Sequence, residues 1–254
     1  MTRRILILGG TTEARLLAGR LAARGGLDVT VSLAGRTARI IDHGVPVRVG
    51  GFGGIEGLAA YLDEAEIDLM IDATHPFADQ ISRSAVAASV ATGRRLLALR
   101  RPPWAPMAGD HWTEAADESA AVAALGETPR RVFLALGRQE LRRFAAAPQH
   151  FYLVRSIDPI EDWPLPDAVF IEQRGPFREE DEVRLMREHR IDTLVARNSG
   201  GDAGYAKIVA ARALGLPAVI IRRPVLPGAE TVDTVDAAVA WIDHAFPPAS
   251  ERGV

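Results

Sequence analysis

The chain has 254 residues, 48% of them hydrophobic and 25% charged, with a formal net charge of −3 at pH 7. This size and balance suit one large α/β domain or two modest ones, and the slight acidity argues against nucleic-acid binding through a basic surface. The absence of cysteine excludes disulfides, thiolate zinc, iron–sulfur ligation and a cysteine nucleophile together, and fits a reducing cytoplasm.

Short apolar, β-branched runs alternate with helical patterns along the chain. The first half predicts strands near Arg4–Leu8, Asp28–Leu33, Val45–Val49, Asp68–Asp72 and Arg95–Leu99, with helices near Thr12–Ala23, Gly57–Ala65 and Ala78–Ala91. Prolines in RRPPWAPMAGD then break the rhythm. Beyond them, strands are expected near Val132–Leu136, Phe151–Val154, Val169–Gln173, Thr193–Ala196 and Ala218–Ile221. Helices are expected near Asp117–Leu125, Gln139–Ala146, Glu179–Glu188, Ala203–Leu214 and Val235–Ala245. The alternation predicts two doubly wound, parallel-sheet, Rossmann-like halves, residues 1–100 and 101–254, with a cleft between them. The first apolar run is too short for a signal peptide, and no stretch approaches the ~18 apolar residues of a membrane helix. A soluble, cytoplasmic protein is therefore expected, with the oligomeric state open and a monomer favoured. The six histidines stand at no HxxxH or HExxH spacing, so no metal site is expected.

The stretch ILILGGTTE ends a strand on Gly9-Gly10 and opens a helix at Thr11, Thr12 and Glu13. Such a turn brings backbone N–H groups to a pyrophosphate at the positive end of the helix dipole. The alternative is a tight turn whose threonine caps the helix. An NAD-binding half usually carries a carboxylate at the end of its second strand for the ribose hydroxyls. DVTVSLAGRT instead offers Ser32 and Arg36, a hydroxyl and a guanidinium suited to a 2′-phosphate, so NADP(H) is expected. The missing acid also counts against S-adenosylmethionine. Arg36 as a solvated surface residue is the alternative. GGFGG (Gly50–Gly54, with Gly51 assigned to the cofactor) suggests close backbone approach to something flat or charged. DATHPFA leaves the fourth strand with Asp72 and Thr74, also assigned to the cofactor, and with His75, which either hydrogen-bonds the loop or relays a proton.

The five strands of the second half end on LALGR, YLVR, IEQR, LVAR and VIIR, giving Arg138, Arg155, Arg174, Arg197 and Arg222. Because ligands collect at the carboxyl edge of a parallel sheet, a ring of guanidinium groups there suits an anion with several carboxylates. Arg222 leads into Arg223-Pro224 and is set aside as leaving the sheet. In ARNSGGDAGYAK, Ser199 opens a second anion-friendly helix start. Tyr205 and Lys207 are two apart, which excludes the short-chain dehydrogenase YxxxK pair. Lysine and arginine total 30, and Lys207 is the only lysine. Its survival in so arginine-rich a chain marks it as a candidate for function, with chance retention as the alternative.

Taken in order, GGTTE, SLAGRT, GGFGG, DATHPFA, RPPW, RSI, RGPF, NSGG with its downstream lysine, and ARALGLPAVIIRRP resemble the precorrin-6A reductases of corrin-ring (cobalamin) biosynthesis. The likeness runs from near Ile5 to Pro224. It implies NADPH-dependent reduction of one double bond of the polycarboxylate tetrapyrrole precorrin-6A to give precorrin-6B. The nicotinamide is then expected near Asp72–Pro76, with substrate on Arg138, Arg155, Arg174, Arg197 and Ser199, and a proton from His75, Tyr205, Lys207 or water. One departure is visible: where many relatives carry lysine before the N/D-S-G-G turn, this chain has Arg197, a planar fork in place of a point charge. The alternatives are an NADPH reductase of another polycarboxylate and a non-catalytic NADP(H)-binding sensor.

Overall fold

The computed structural model describes residues 2–35, 42–157, 159–160 and 167–247. Its elements begin with β1 (Arg3–Leu8), α1 (Thr12–Ala22), β2 (Leu27–Leu33), β3 (Val47–Val49), α2 (Gly54–Glu64), β4 (Leu69–Asp72), α3 (Asp79–Thr92) and β5 (Arg95–Leu99). They continue with β6 (His111–Ala115), α4 (Glu118–Leu125), β7 (Arg131–Ala135), α5 (Arg138–Leu141), β8 (Phe151–Ser156), β9 (Ala168–Glu172) and α6 (Glu179–Glu188). The last are β10 (Thr193–Arg197), α7 (Ala206–Ala213), β11 (Pro217–Ile221), β12 (Glu230–Val232) and α8 (Val235–Ala245). The expected helix over Gln139–Ala146 is the short α5 followed by a 3-10 turn, Arg142–Ala146.

The chain divides into two units, Met1–Pro102 with Pro224–Val254, and Pro103–Arg223. In the first, all strands are parallel, in the order β3-β2-β1-β4-β5-β12. Period-two alternation sends Ile5, Ile7, Val29 and Val31 toward α1 and α8. Leu6, Leu8 and Met70 pack instead with Leu58, Leu62, Ala85 and Ala88 of α2 and α3. Cover on both faces explains why these strands are near-continuous apolar runs. The strand order is that of a dinucleotide-binding unit, with its switch point between β1 and β4.

Residues 224–254, expected in the second half, belong to the first unit. β12 pairs with the open edge of β5, Thr231 opposite Ala98, and α8 buries Ala238 and Ile242 in the core under α1. The physical reason is twofold: the edge of β5 lacks a neighbour, and α1 exposes an apolar stripe that α8 covers.

The second unit is also parallel throughout, in the order β9-β8-β7-β10-β11-β6. Met186 of α6 and Ile208 and Ala211 of α7 pack against Phe133, Leu153, Leu194 and Ile220. Its switch point lies between β7 and β10. Neither β6 nor β12 is foreseen by the sequence pattern. Both are edge strands, HWTEA and ETV, mostly exposed, so neither carries the apolar run that marks a central strand.

Candidate active site

At the first switch point, the Gly9 N–H donates to the Ser32 carbonyl at 2.9 Å. A Cβ on Gly9 would lie 2.9 Å from Val31 Cγ1, so packing alone requires glycine there. Gly10 has φ +111° with open space around it, a backbone that other residues rarely adopt. Thr11 Oγ1 accepts from the Ala14 N–H at 3.1 Å and caps α1, a contact that contributes about 1 kcal/mol. Its hydroxyl donates to the Ala73 carbonyl at 2.8 Å, tying the turn to the end of β4. Among the described residues no acceptor meets the N–H of Thr12 or Glu13, so two helix-start donors face outward.

Several side chains assigned to the cofactor instead hold the frame. The Glu13 carboxylate accepts from Arg101 Nη1 at 2.6 Å. Asp72 is only 3% exposed. Its Oδ1 accepts from the N–H and hydroxyl of Thr74 at 3.2 and 2.7 Å, and its Oδ2 from the Ser82 hydroxyl at 2.6 Å. Arg100 Nη2 stands 3.9 Å from Oδ2. Both carboxylate oxygens of Asp72 are therefore used in shaping the loop after β4. In that loop His75 Nδ1 accepts from the Phe77 N–H at 3.3 Å. The neutral ring therefore carries its proton on Nε2.

Ser32 is buried at the end of β2, opposite Arg48 in the β2–β3 register. Arg48 Nη1 donates to the Gly50 carbonyl at 2.6 Å and reaches Ser32 Oγ at 3.4 Å, while Nη2 donates to the Gly51 carbonyl at 2.9 Å. The guanidinium lies 3.9 Å over the Phe52 ring. Arg36 lies outside the described residues.

In the second unit the ring of arginines separates into distinct roles. Arg155, 7% exposed, is ion-paired with Glu182, itself 2% exposed, and its guanidinium lies 3.7 Å over Phe177. Arg197 pairs with Glu118 at 2.9 Å and Glu140 at 2.7 Å. Both of these arginines are paired with the protein's own carboxylates. Arg174 is exposed beside a cavity of about 380 Å³ lined also by Arg178, Pro176 and Phe177. Neither Arg174 nor Arg178 meets a carboxylate among the described residues. The side chain of Arg138 lies outside the described residues. Arg222 is exposed, and its backbone N–H bonds the Ala115 carbonyl as the chain leaves β11.

The turn after β10 is clamped from two sides. Asn198 brackets the backbone of Trp104, accepting from its N–H at 2.7 Å and donating to its carbonyl at 2.9 Å. Arg223 donates to the carbonyls of Asn198 and Ser199, both at 2.9 Å. The Trp104 indole N–H bonds the Gly201 carbonyl at 2.8 Å. Tyr205 accepts from Arg212 at 2.9 Å and turns its own proton toward Met107 Sδ at 3.3 Å. Lys207, 8% exposed, donates to the Gly204 carbonyl and sits 5.0 Å over Trp104. Burial, then the charge of Arg155, pushes its pKa down to about 7, with Glu182 opposing. Trp104, Asn198, Glu182, Arg223 and Arg48 carry no role in the sequence reading. Trp104 and Asn198 lie 94 positions apart and Glu182 and Arg155 27 apart, whereas Arg48 bonds the nearby Gly50 and Gly51 and reaches Ser32 through strand register.

Among the described residues, no cluster of three or more His, Cys, Asp or Glu is arranged to hold a metal, and no helix is long and apolar enough to cross a membrane. The precorrin-6x reductase CbiJ/CobK family matches residues 4–243. A precorrin-6A reductase of Rhodobacter capsulatus is 49% identical over 253 residues, 99% of each chain. One of a Sinorhizobium species is 51% identical over 247 residues, 97% of this chain and 95% of that one. A solved structure of CobK precorrin-6A reductase superposes with a TM-score of 0.93 at 49% identity, covering 100% of both chains. The likeness spans the switch-point turn, the buried arginines and the clamped second turn alike, and the chain belongs to the precorrin-6x reductase CbiJ/CobK family.

Proposed function

We infer that this chain is a precorrin-6A reductase, saturating one double bond of that tetrapyrrole to give precorrin-6B, with NADPH as the reductant. The observation that carries the reading is 49–51% identity to precorrin-6A reductases over nearly the full length. Relatives named without cobalt reach 42–51% identity, against 26–27% for those named cobalt-precorrin-6A reductase. The metal-free tetrapyrrole is therefore the substrate of this reading.

The first unit suits the cofactor: an open left-handed glycine, two outward N–H donors and a Thr11-capped helix meet at a dinucleotide switch point. Gly9, Gly10, Thr11, Thr12 and the Glu13 N–H hold the pyrophosphate, and Ser32 and Arg36 take the ribose 2′-phosphate. Asp72, through Thr74, fixes the loop that carries His75. NADPH, when bound, supplies a hydride. The chain's own contribution is to orient the reactants, hold charge and deliver a proton. All three side chains suggested for that proton make contacts within the protein: Tyr205 with Arg212 and Met107, His75 with Phe77, and Lys207 with the Gly204 carbonyl. Lys207, titrating at about 7, matches what a general acid working near neutrality needs.

Replacing Arg36 by alanine is expected to weaken NADPH by about 1.5–3 kcal/mol, one charge-assisted contact, and to leave NADH nearly unaffected. Equal losses for both cofactors, measured by titration, would remove Arg36 from cofactor selection. In the second unit, Arg174 and Arg178 take substrate carboxylates, with Ser199 at the second turn. Arg174→Ala and Arg178→Ala should each raise the substrate KM about fivefold, for roughly 1 kcal/mol at exposed sites. NADPH affinity should stay as it was, and the effect should fade with added salt. An unchanged KM in both variants makes them solvated surface residues.

The direct assay follows NADPH absorbance with the purified protein and metal-free precorrin-6A without oxygen. Oxidation only when the tetrapyrrole is present supports the reading. Cofactor binding without turnover indicates a sensor, and turnover only with a different polycarboxylate indicates another reductase.

A further inference from the structure

We propose that Arg48 selects the phosphorylated cofactor, its guanidinium gripping the 2′-phosphate. This rests on the NADPH reading above. In a unit of this strand order, the pyrophosphate sits at the turn after β1, and the adenosine ribose extends over the carboxyl end of β2. Ser32 is the last buried polar group of β2, and its register partner is Arg48. Parallel neighbours in register project to the same side of the sheet, which is why Arg48 Nη1 comes within 3.4 Å of Ser32 Oγ.

The side chain is built to stay there. Carbonyls of Gly50 and Gly51 take one hydrogen each from Nη1 and Nη2, fixing the plane of the group. Phe52 covers one face at 3.9 Å, and Tyr61 lies 5.2 Å from the same guanidinium carbon. Nε and the second hydrogen of Nη2 meet no acceptor among the described residues. Nor does any carboxylate there neutralise the charge. A guanidinium held over an aromatic ring, with donors left over and no carboxylate paired with it among the described residues, suits a phosphate dianion at its edge. GGFGG then has a specific use: two of its carbonyls aim the arginine, its phenylalanine supports it, and the glycines leave room beside it.

The probes are 2′,5′-ADP, which carries the extra phosphate, and 5′-ADP, which lacks the 2′-phosphate, each titrated calorimetrically against the purified protein. In Arg48→Met, which keeps an apolar stem on Phe52, affinity for 2′,5′-ADP should fall about 10- to 100-fold, the range for loss of a charge-assisted contact. Affinity for 5′-ADP should change by less than about threefold. Arg48→Lys, which keeps charge without the planar fork, should recover most of the preference, and its binding should remain salt-dependent. A preference for 2′,5′-ADP as large in Arg48→Met as in the wild type, where Arg36 alone would account for it, overturns the proposal. So does an equal loss of both probes, since Arg48 would then only brace the loop. A wild-type protein that binds the two probes equally overturns the NADPH reading itself, which separates the two failures.

Discussion

Arg155→Ala is expected to destabilise the fold by about 3–5 kcal/mol, the cost of leaving a buried charge without its partner. The partner is Glu182, 2% exposed. Its Oε1 accepts from Arg155, and its Oε2 is already buried without a hydrogen bond. Removing the guanidinium also strips a cation from the face of Phe177 and opens space beside Phe133. The same change at an exposed ligand-binding arginine would raise KM and leave stability within about 0.5 kcal/mol. Chemical denaturation of Arg155→Ala therefore separates the two roles. The double variant Arg155→Met with Glu182→Leu removes both charges and should recover much of the loss, because apolar replacement of a buried pair is often neutral. A single variant with unchanged stability and a raised KM would return Arg155 to the substrate.

Lys207→Met should lower turnover by about 10²–10⁴-fold, the usual contribution of a positioned acid or base, while making the protein more stable at neutral pH. The opposite signs follow from burial. The amine titrates at about 7 in the folded chain instead of its ordinary 10.5, first because of burial and then because of Arg155. Between those values the unfolded chain holds a proton that the folded one has released, so wild-type stability rises with pH across that window. Methionine has no such dependence. Its advantage should therefore be greatest at and below about pH 7, on the order of a few kcal/mol, and should shrink toward pH 10.5. Wild-type kcat should fall as pH rises through about 7 and Lys207 loses the proton it donates, and that limb should vanish in the variant. Normal kinetics with raised stability would make Lys207 a buried relic without a role in the reaction.

How far the sequence carried this structure depends on whether a residue's meaning is local. Runs such as Ile5–Leu8 and Leu69–Asp72 are visible because strands covered on both faces need unbroken apolar residues. The Thr11 cap is likewise local, its acceptor contact lying three residues on. Its second bond, to Ala73, requires β1 and β4 to be neighbours. The arginines show the limit most clearly. Each lies at or just beyond the strand end assigned to it, yet whether its charge is spent depends on remote carboxylates. Arg155 finds Glu182 across 27 positions, and Arg197 finds Glu118 across 79. Arg48 was missed for a related reason. The usual expectation places the selecting residue after β2, whereas this guanidinium comes from β3 and reaches Ser32 only through strand register. The return of β12 and α8 to the first unit was hidden because an edge strand of three residues, two of them exposed, carries little pattern.

The most direct measurement is isotope transfer in a single turnover, with NADPH deuterated at the transferable position of the nicotinamide and metal-free precorrin-6A as the acceptor. If this chain reduces the tetrapyrrole by hydride transfer, mass spectrometry of the product will show the cofactor's deuterium on carbon and a further hydrogen exchangeable with solvent only during turnover. A product without the label, or labelled NADPH recovered intact in the presence of substrate, would contradict the assignment.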